Sequence, residues 1–437
     1  MRWVSRIAEK TNLRCRFCGK PLQYTFADLG VQPLCESYLQ SDQLNRMEPF
    51  YSLHVFVCEN CLLVQLEDAL TPEEIFSEYA YFSSHSQGWL KHVEAYAEMI
   101  IHRLGLNQKS QVVEVGSNDG YLLQYFVQRS VPVLGVEPAA NVAKEAISKG
   151  IPTVIKFFGK NTSTELASQN KLADLIIGNN VISQVPHLND FVEGLKILLK
   201  PSGVITLEFH HLMKLMDNKQ FDTISHERFS YFSFLAIEKI FASYGLTIFN
   251  VEELPTHGGS LRIYVRHKEN HSLPIMMSVD QLKEKEKDHG LMEIENYLLF
   301  AEKVKEAKRN ILDFLIRVKR KKKSIVGYGA HAEAQTLLNF CGIGPDFLDY
   351  TVDRNPVKQG KFIAGVRIPI FNPDKIAETK PDYVIILPWN IKKEIMNQMS
   401  HIGDWGGRFI VPIPKVALYN ANGTEINNEI LLKEGIR

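Results

Sequence analysis

The chain has 437 residues, more than one ordinary core holds, so about two to four domains are expected. Lys plus Arg and Asp plus Glu each number 50, and this zero net charge argues against nucleic acid or an acidic membrane surface as the main partner. With no secretory pattern and no window near ~20 uninterrupted apolar residues, a membrane span is excluded, a cytoplasmic setting is expected, and the six cysteines are not expected to form disulfides.

Four of those cysteines form two tight pairs, Cys15-Arg-Phe-Cys18 and Cys58-Glu-Asn-Cys61. Two such pairs on separate knuckle turns can close a tetrahedral thiolate shell, the structural type of zinc site. Catalytic zinc needs an open position, and four thiolates leave none. A redox role fails to explain why there are two pairs. Residues 1–70 are therefore expected to be a zinc-binding module, with Cys35 and Cys341 outside the metal set. Thr71-Pro-Glu-Glu then starts a helix, and Tyr79 to Ser86 is a dense aromatic and hydroxyl cluster, suited either to interdomain packing or to ligand contact.

Apolar spacing predicts a helix over Trp89 to Leu104, leading into an α/β domain over residues 71–270. The run from Gln111 to Phe126 reads as strand, glycine turn and helix, with Glu114-x-Gly116 and then Ser117-Asn118-Asp119-Gly120 at the turn. Glycine takes backbone angles other residues avoid, and a helix N-terminus offers free N–H groups to a polar ligand. The spacing is not the dinucleotide G-x-G-x-x-G; it resembles the S-adenosylmethionine (SAM) loop of class I methyltransferases. Val131 to Glu137 is the next buried strand, and an acid at such a carboxyl end can take a ribose diol. Ala173 to Gly178 delivers Asn179 and Asn180 to the same edge, and Phe157 and Phe158 suit an adenine or the core equally.

The chemically densest stretch is Phe221 to Ser233, where His226 and Glu227 are candidate proton acceptors and Ser225 and Arg228 candidate donors. A polar loop with its own ion pairs is the plainer alternative. Thr256-His257-Gly258-Gly259-Ser-Leu-Arg262 precedes a strand, and its glycines would let backbone approach a substrate. Residues 271–322 form a charged helical connector whose basic end, Val318 to Lys323, suits a solvated helix C-terminus. Over 323–437 a second strand-glycine-helix unit, with Gly327 and Tyr328 at its turn, opens another α/β domain able to offer N–H groups to a diphosphate, or to serve structure or oligomerisation alone. The fold class is thus α/β: a zinc-binding module, a class I methyltransferase Rossmann-like domain and a second Rossmann-like domain.

From Cys15 to about Pro414 the chain resembles the sugar C-methyltransferases of deoxysugar pathways, through Ser117 to Leu123, Gly135 to Asn141, Phe221 to Ile224, Thr256 to Arg262 and Ile385 to Asn390. The resemblance implies SAM and structural zinc as cofactors and a nucleotide-diphosphate 4-keto-6-deoxysugar, commonly dTDP-linked, as substrate. It implies that a base removes the proton beside the ketone and that the enolate attacks the SAM methyl. Donor contacts then fall to Glu114, Gly116, Asn118, Asp119, Gly120, Glu137, Asn179 and Asn180, and substrate contacts to His257, Gly258, Gly259, Arg262, Gly327 and Tyr328. Tyr79, His226, Glu227, Arg228 and Ser225 are the catalytic candidates.

The chain also departs from that family. Ser225 replaces a tyrosine, Arg228 replaces the histidine favoured as base, Gln184 replaces a histidine and His210 a proline. Gly-Ala-His331-Ala-Glu333-Ala334-Gln335 replaces Gly-Ala-Pro-Ala-Lys-Gly-Asn. Arginine stays protonated and cannot act as a base. Either His226 or Glu227 is then the base, with Arg228 and Ser225 steadying the enolate oxygen, or the chain keeps its fold and donor site and serves as a binding or partner subunit. A zinc-dependent nucleic-acid binder is disfavoured by the neutral charge.

Overall fold

The computed structural model describes residues 13–67, 71–76 and 82–426. Three antiparallel strands, Tyr24–Gln32, Tyr51–Val57 and Val64–Leu66, build the N-terminal module. Leu53, Val55 and Val57 alternate into one core, while Phe56 on the opposite face is buried in another. The sheet is completed by a distant segment: Ser230–Tyr231 pairs with Val64–Leu66, Ser230 opposite Gln65 and Tyr231 opposite Val64.

The central sheet has seven strands. Val112–Val115 lies between Val133–Val136 and Ala173–Asn179, with Thr153–Val154 beyond the first neighbour and Leu199–His210 beyond the second. All five run parallel, and the innermost are buried on both faces, hence their continuous Val and Leu content. The antiparallel pair Ser260–His267 and Leu246–Leu254 closes the far edge. The order reverses around Val112–Val115, and a ligand crevice opens beyond the carboxyl ends at such a reversal. A second sheet repeats the device: Ile325–Tyr328 lies between Thr351–Val352 and Tyr383–Ile386, all parallel.

The helix Ile294–Arg320 is about 40 Å long at ~1.5 Å per residue. Its buried stripe, Tyr297, Phe300, Val304, Ala307, Ile311, Leu315 and Val318, follows the three-four spacing of a helix with one apolar face. That face joins the units it was expected only to connect. Phe300 stacks on Phe26 of the N-terminal module at 4.6 Å, and the same core takes in Leu212 and Phe221 of the central domain and Ile325 and Leu337 of the C-terminal one. Tyr38–Leu39 also pairs with Phe362–Ile363, linking the two outer units directly. No helix among the described residues is long and apolar enough to cross a membrane.

One buried carboxylate locks the central domain to its helices. Glu286, fully buried, accepts N–H bonds from Phe234 at 2.6 Å and Leu235 at 2.9 Å, and pairs with His211 at 2.7 Å. It thereby satisfies two of the free N-terminal amides of the helix Phe234–Ser243, while the Ser233 hydroxyl accepts a third from Ala236.

Removing the Phe300 ring should cost about 3–5 kcal/mol. Because the core is shared, Phe300→Ala should lower the urea midpoints of tryptophan fluorescence and of metal release together. A metal-release midpoint that stays in place would show that the N-terminal module is stabilised separately.

Candidate active site

The metal centre is the simplest part. The Sγ atoms of Cys15, Cys18, Cys58 and Cys61 all lie within 4.8 Å of one another, with Cys15–Cys61 and Cys18–Cys58 at 3.5 Å. Four sulfurs ~2.3 Å from a tetrahedral zinc stand ~3.8 Å apart, so the cluster fits that ion, whereas a disulfide needs ~2.05 Å. The Gln65 amide donates to Cys15 Sγ at 3.2 Å and accepts the Arg16 N–H at 2.9 Å, orienting the shell from behind.

A single cleft of about 1700 Å³ runs from the carboxyl edge of the central sheet to that of the C-terminal sheet. At the first end its wall carries Gly116, Asn118, Glu137, Asn179 and Asn180, with Phe157 and Phe158 beside them. Gly116 takes φ +70°, and a Cβ there would stand 3.1 Å from Val181. Glu137 accepts the N–H groups of Asn118 at 2.9 Å and Ala139 at 3.0 Å, while burial keeps its pKa above the ordinary value. Asn180, at φ +60°, donates its N–H to the Glu208 carbonyl at 2.7 Å.

Three expected donor contacts stand behind this wall. Glu114 is fully buried, and burial pushes it well above the carboxylate range. Asp119 is fully buried and takes the Ser84 hydroxyl, and a Cβ on Gly120 would collide with Ile151. These residues shape the turn. Ser83 donates its N–H to Asn118 Oδ1 at 3.0 Å, so the described part of the hydroxyl cluster clasps the donor loop. Tyr79 lies outside the described residues.

The dense loop divides in the same way. Thr223, Glu227 and Arg228 reach the cleft. His226 does not: its ring is buried, faces Tyr51 of the N-terminal module at 6.1 Å between centroids, and is held below its usual pKa by burial. Ser225 is buried too, its N–H donating to the Tyr231 hydroxyl at 3.2 Å. The reason is the pairing of Ser230–Tyr231 with the zinc module, which turns this half of the loop toward that module.

Arg228 donates to the Thr223 carbonyl at 2.5 Å and to Glu333 Oε1 at 3.2 Å. Burial pushes Glu333 up, but His331 and Arg228 outweigh it and hold the carboxyl at about 2. The arginine in place of a histidine and the glutamate in place of a lysine are therefore partners across the domain junction. Beneath the cleft, Glu208 takes His92 at 2.9 Å, Arg262 at 2.8 Å and the Thr256 hydroxyl at 2.9 Å. Burial pushes Glu208 up, and His92 and Arg262 bring it below the ordinary value.

Arg262, expected at the substrate, is instead this buried counter-ion. His92 and Glu208 were missed by sequence reasoning; an acid ending a buried strand, as at Glu137, was the available signal.

Of the remaining expectations, His257 and Tyr328 line the cleft. Gly258 and Gly259 do not: a Cβ on them would collide with Trp389 and Lys214, so both are demanded by packing. Gly327 likewise faces Thr351. His210 also lines the cleft, its ring 4.8 Å from that of His257. At the domain junction the Trp389 indole donates to Asp222 at 2.7 Å, and burial raises Asp222 to about 8.

The fold and this cleft define a SAM-dependent methyltransferase with a four-cysteine zinc-binding module. Family descriptions agree: a zinc binding domain matches residues 15–76, a methyltransferase domain 89–251 and a C-methyltransferase C-terminal domain 255–414. The C-methyltransferase NovU of Streptomyces niveus is 33% identical over 411 residues, covering 94% of this chain and 97% of that protein. The chain belongs to the C-methyltransferase family. Solved structures match in part: the PH0226 protein of Pyrococcus horikoshii OT3 is 16% identical over 45% of this chain and 98% of that one, TM-score 0.35. Magnesium protoporphyrin IX methyltransferase of Synechocystis PCC 6803 with bound SAM is also 16% identical, over 41% and 79%, TM-score 0.32.

Two predictions follow the charges at the junction. Glu333→Lys sets a cation beside Arg228 and should destabilise, while Arg228→His with Glu333→Lys should recover part of the loss. A double-mutant cycle in urea should give a coupling of about 0.5–3 kcal/mol, and strict additivity would show the two residues to be independent. Asp222 keeps a proton when folded that the unfolded chain releases above about 4, so its contribution to stability falls as pH rises from about 4 to about 8. Asp222→Asn should therefore gain on the wild type across that window in urea midpoints; parallel curves would mean that Asp222 ionises normally.

Proposed function

We propose that this C-methyltransferase acts on a nucleotide-diphosphate 4-keto-6-deoxysugar, commonly dTDP-linked, by deprotonating the carbon beside the ketone. The observation that carries this reading is the continuity of the cleft. At about 1700 Å³ it exceeds the ~300–1,000 Å³ of a single-ligand pocket, and it joins two sheet-edge crevices. SAM supplies an electrophilic methyl group. Gly116, Asn118, Glu137 and Asn180 are the residues to hold it, with Glu137 toward the ribose and Phe157 and Phe158 toward the adenine.

The other end suits a nucleotide diphosphate, with Tyr328 and Gly329 at the glycine turn and Arg354 and Lys358 as cations on the wall. The sugar would then lie between, against Thr223, Glu227, Arg228, His210 and His257. Carbon becomes a nucleophile only when a base takes its proton and the enolate oxygen is stabilised. Arg228 carries a permanent positive charge on the cleft wall and can steady that oxygen. The new carbon–carbon bond forms as the methyl–sulfur bond breaks, and S-adenosylhomocysteine leaves.

Incubation with SAM and a panel of dTDP-4-keto-6-deoxysugars in deuterated water should show deuterium entry at carbon together with S-adenosylhomocysteine release. Deuterium entry without methyl transfer would identify a wrong acceptor. Absence of both with every sugar, while SAM still binds, would overturn the substrate assignment.

A further inference from the structure

The departures at Gln184 and Arg228 remove two histidines from the expected constellation, while His210 adds one. His210 ends the strand Leu199–His210, next to the strand that delivers the donor-site asparagines: Asn179 pairs with Glu208, two residues before His210. His210 therefore stands one strand away from the methyl-donor contacts, on the same cleft wall. Its side chain is 8% exposed, and its Nε2 has no hydrogen-bond partner among the described residues. A buried polar atom without a partner is costly, and this one belongs to a ring that lines the cleft, where a ligand pressed against the ring can supply the missing partner.

Five other acid and imidazole groups of the cleft and the loop beside it are less suited to take a proton. Glu333 is committed to Arg228 and His331. His92 is committed to Glu208. His226 faces the zinc module. Glu227 lies beside the Arg228 cation. His257 stands against His210, and burial with the Arg228 charge keeps both rings below their ordinary pKa, hence neutral with a free electron pair.

We propose that His210 is the proton acceptor of the carbon-activating step, with His257 as the residue that positions its ring; this rests on the C-methylation reading above. The substrate C–H electron pair becomes the enolate, and the proton goes to His210 Nε2, which requires the tautomer with hydrogen on Nδ1. Arg228 then stabilises the enolate oxygen rather than taking the proton. A diphosphate entering the cleft brings in negative charge, offsets the part of the lowering that Arg228 adds to burial, and so strengthens the base when substrate is present.

The test is deuterium exchange into a dTDP-4-keto-6-deoxysugar with S-adenosylhomocysteine in place of SAM, which isolates the proton step. His210→Ala should lower exchange by about 10²–10⁴-fold, with SAM affinity retained, and added imidazole should restore part of it. His210→Asn, closer in shape, should show the same loss and decides the matter if the alanine variant fails to bind SAM. Exchange within a few-fold of wild type in His210→Asn, with loss in Glu227→Gln, would overturn the assignment in favour of the loop acid. No exchange by the wild type with any sugar would instead overturn the C-methylation reading, and this assignment with it.

Discussion

The pairing of Ser230–Tyr231 with Gln65 and Val64 decides how the reactive loop presents its side chains. The loop is thereby tied to the zinc module two residues past Arg228, and His226, in the turn before the strand, packs against Tyr51 of that module. The loop is anchored on its other side as well, where the Thr336 hydroxyl of the C-terminal helix donates to the Ile224 carbonyl at 2.9 Å. Glu227 and Arg228 thus occupy a span held at both ends by other units of the chain. Gln65 connects this pairing to the metal: its backbone lies opposite Ser230, and its amide reaches Cys15 Sγ. The four thiolates are thus tied, through Gln65, to the sheet edge that holds the loop.

One cation, Arg228, stands at the centre of the junction's charges. Arg228 meets Glu333 across the domain junction and adds its charge to burial, the larger cause, in lowering the proton affinity of His210 and His257. Seen as isolated changes, an arginine for a histidine and a glutamate for a lysine look like loss of function. Seen together they are one exchanged charge pair, and the imidazole that leaves the loop has a counterpart at the end of the neighbouring strand.

Features that rest on local chemistry were legible in the sequence: the two Cys pairs, the strand-glycine-helix turns of both sheets, and the acids and amides at the strand ends. Each is set by residues a few positions apart. Side-chain direction was not legible where it depends on distant pairing. His226 reads as a base until its ring is found packed against Tyr51 of the zinc module. Gly258 and Gly259 read as a substrate approach until Trp389 and Lys214 fill the space, and Arg262 until Glu208 claims it. The helix Ile294–Arg320 showed its apolar stripe plainly, but periodicity cannot say which surfaces will cover it.

That helix bears on how such a chain can be taken apart. Its stripe and the residues covering it, Phe26, Leu212, Phe221 and Leu337 among them, form one continuous core drawn from every unit. Cutting the chain at either sheet would expose that apolar surface to water on both fragments, inviting aggregation. A chimera meant to exchange acceptor preference therefore has to carry the C-terminal sheet, the helix and the facing residues of the first strand as one inherited block.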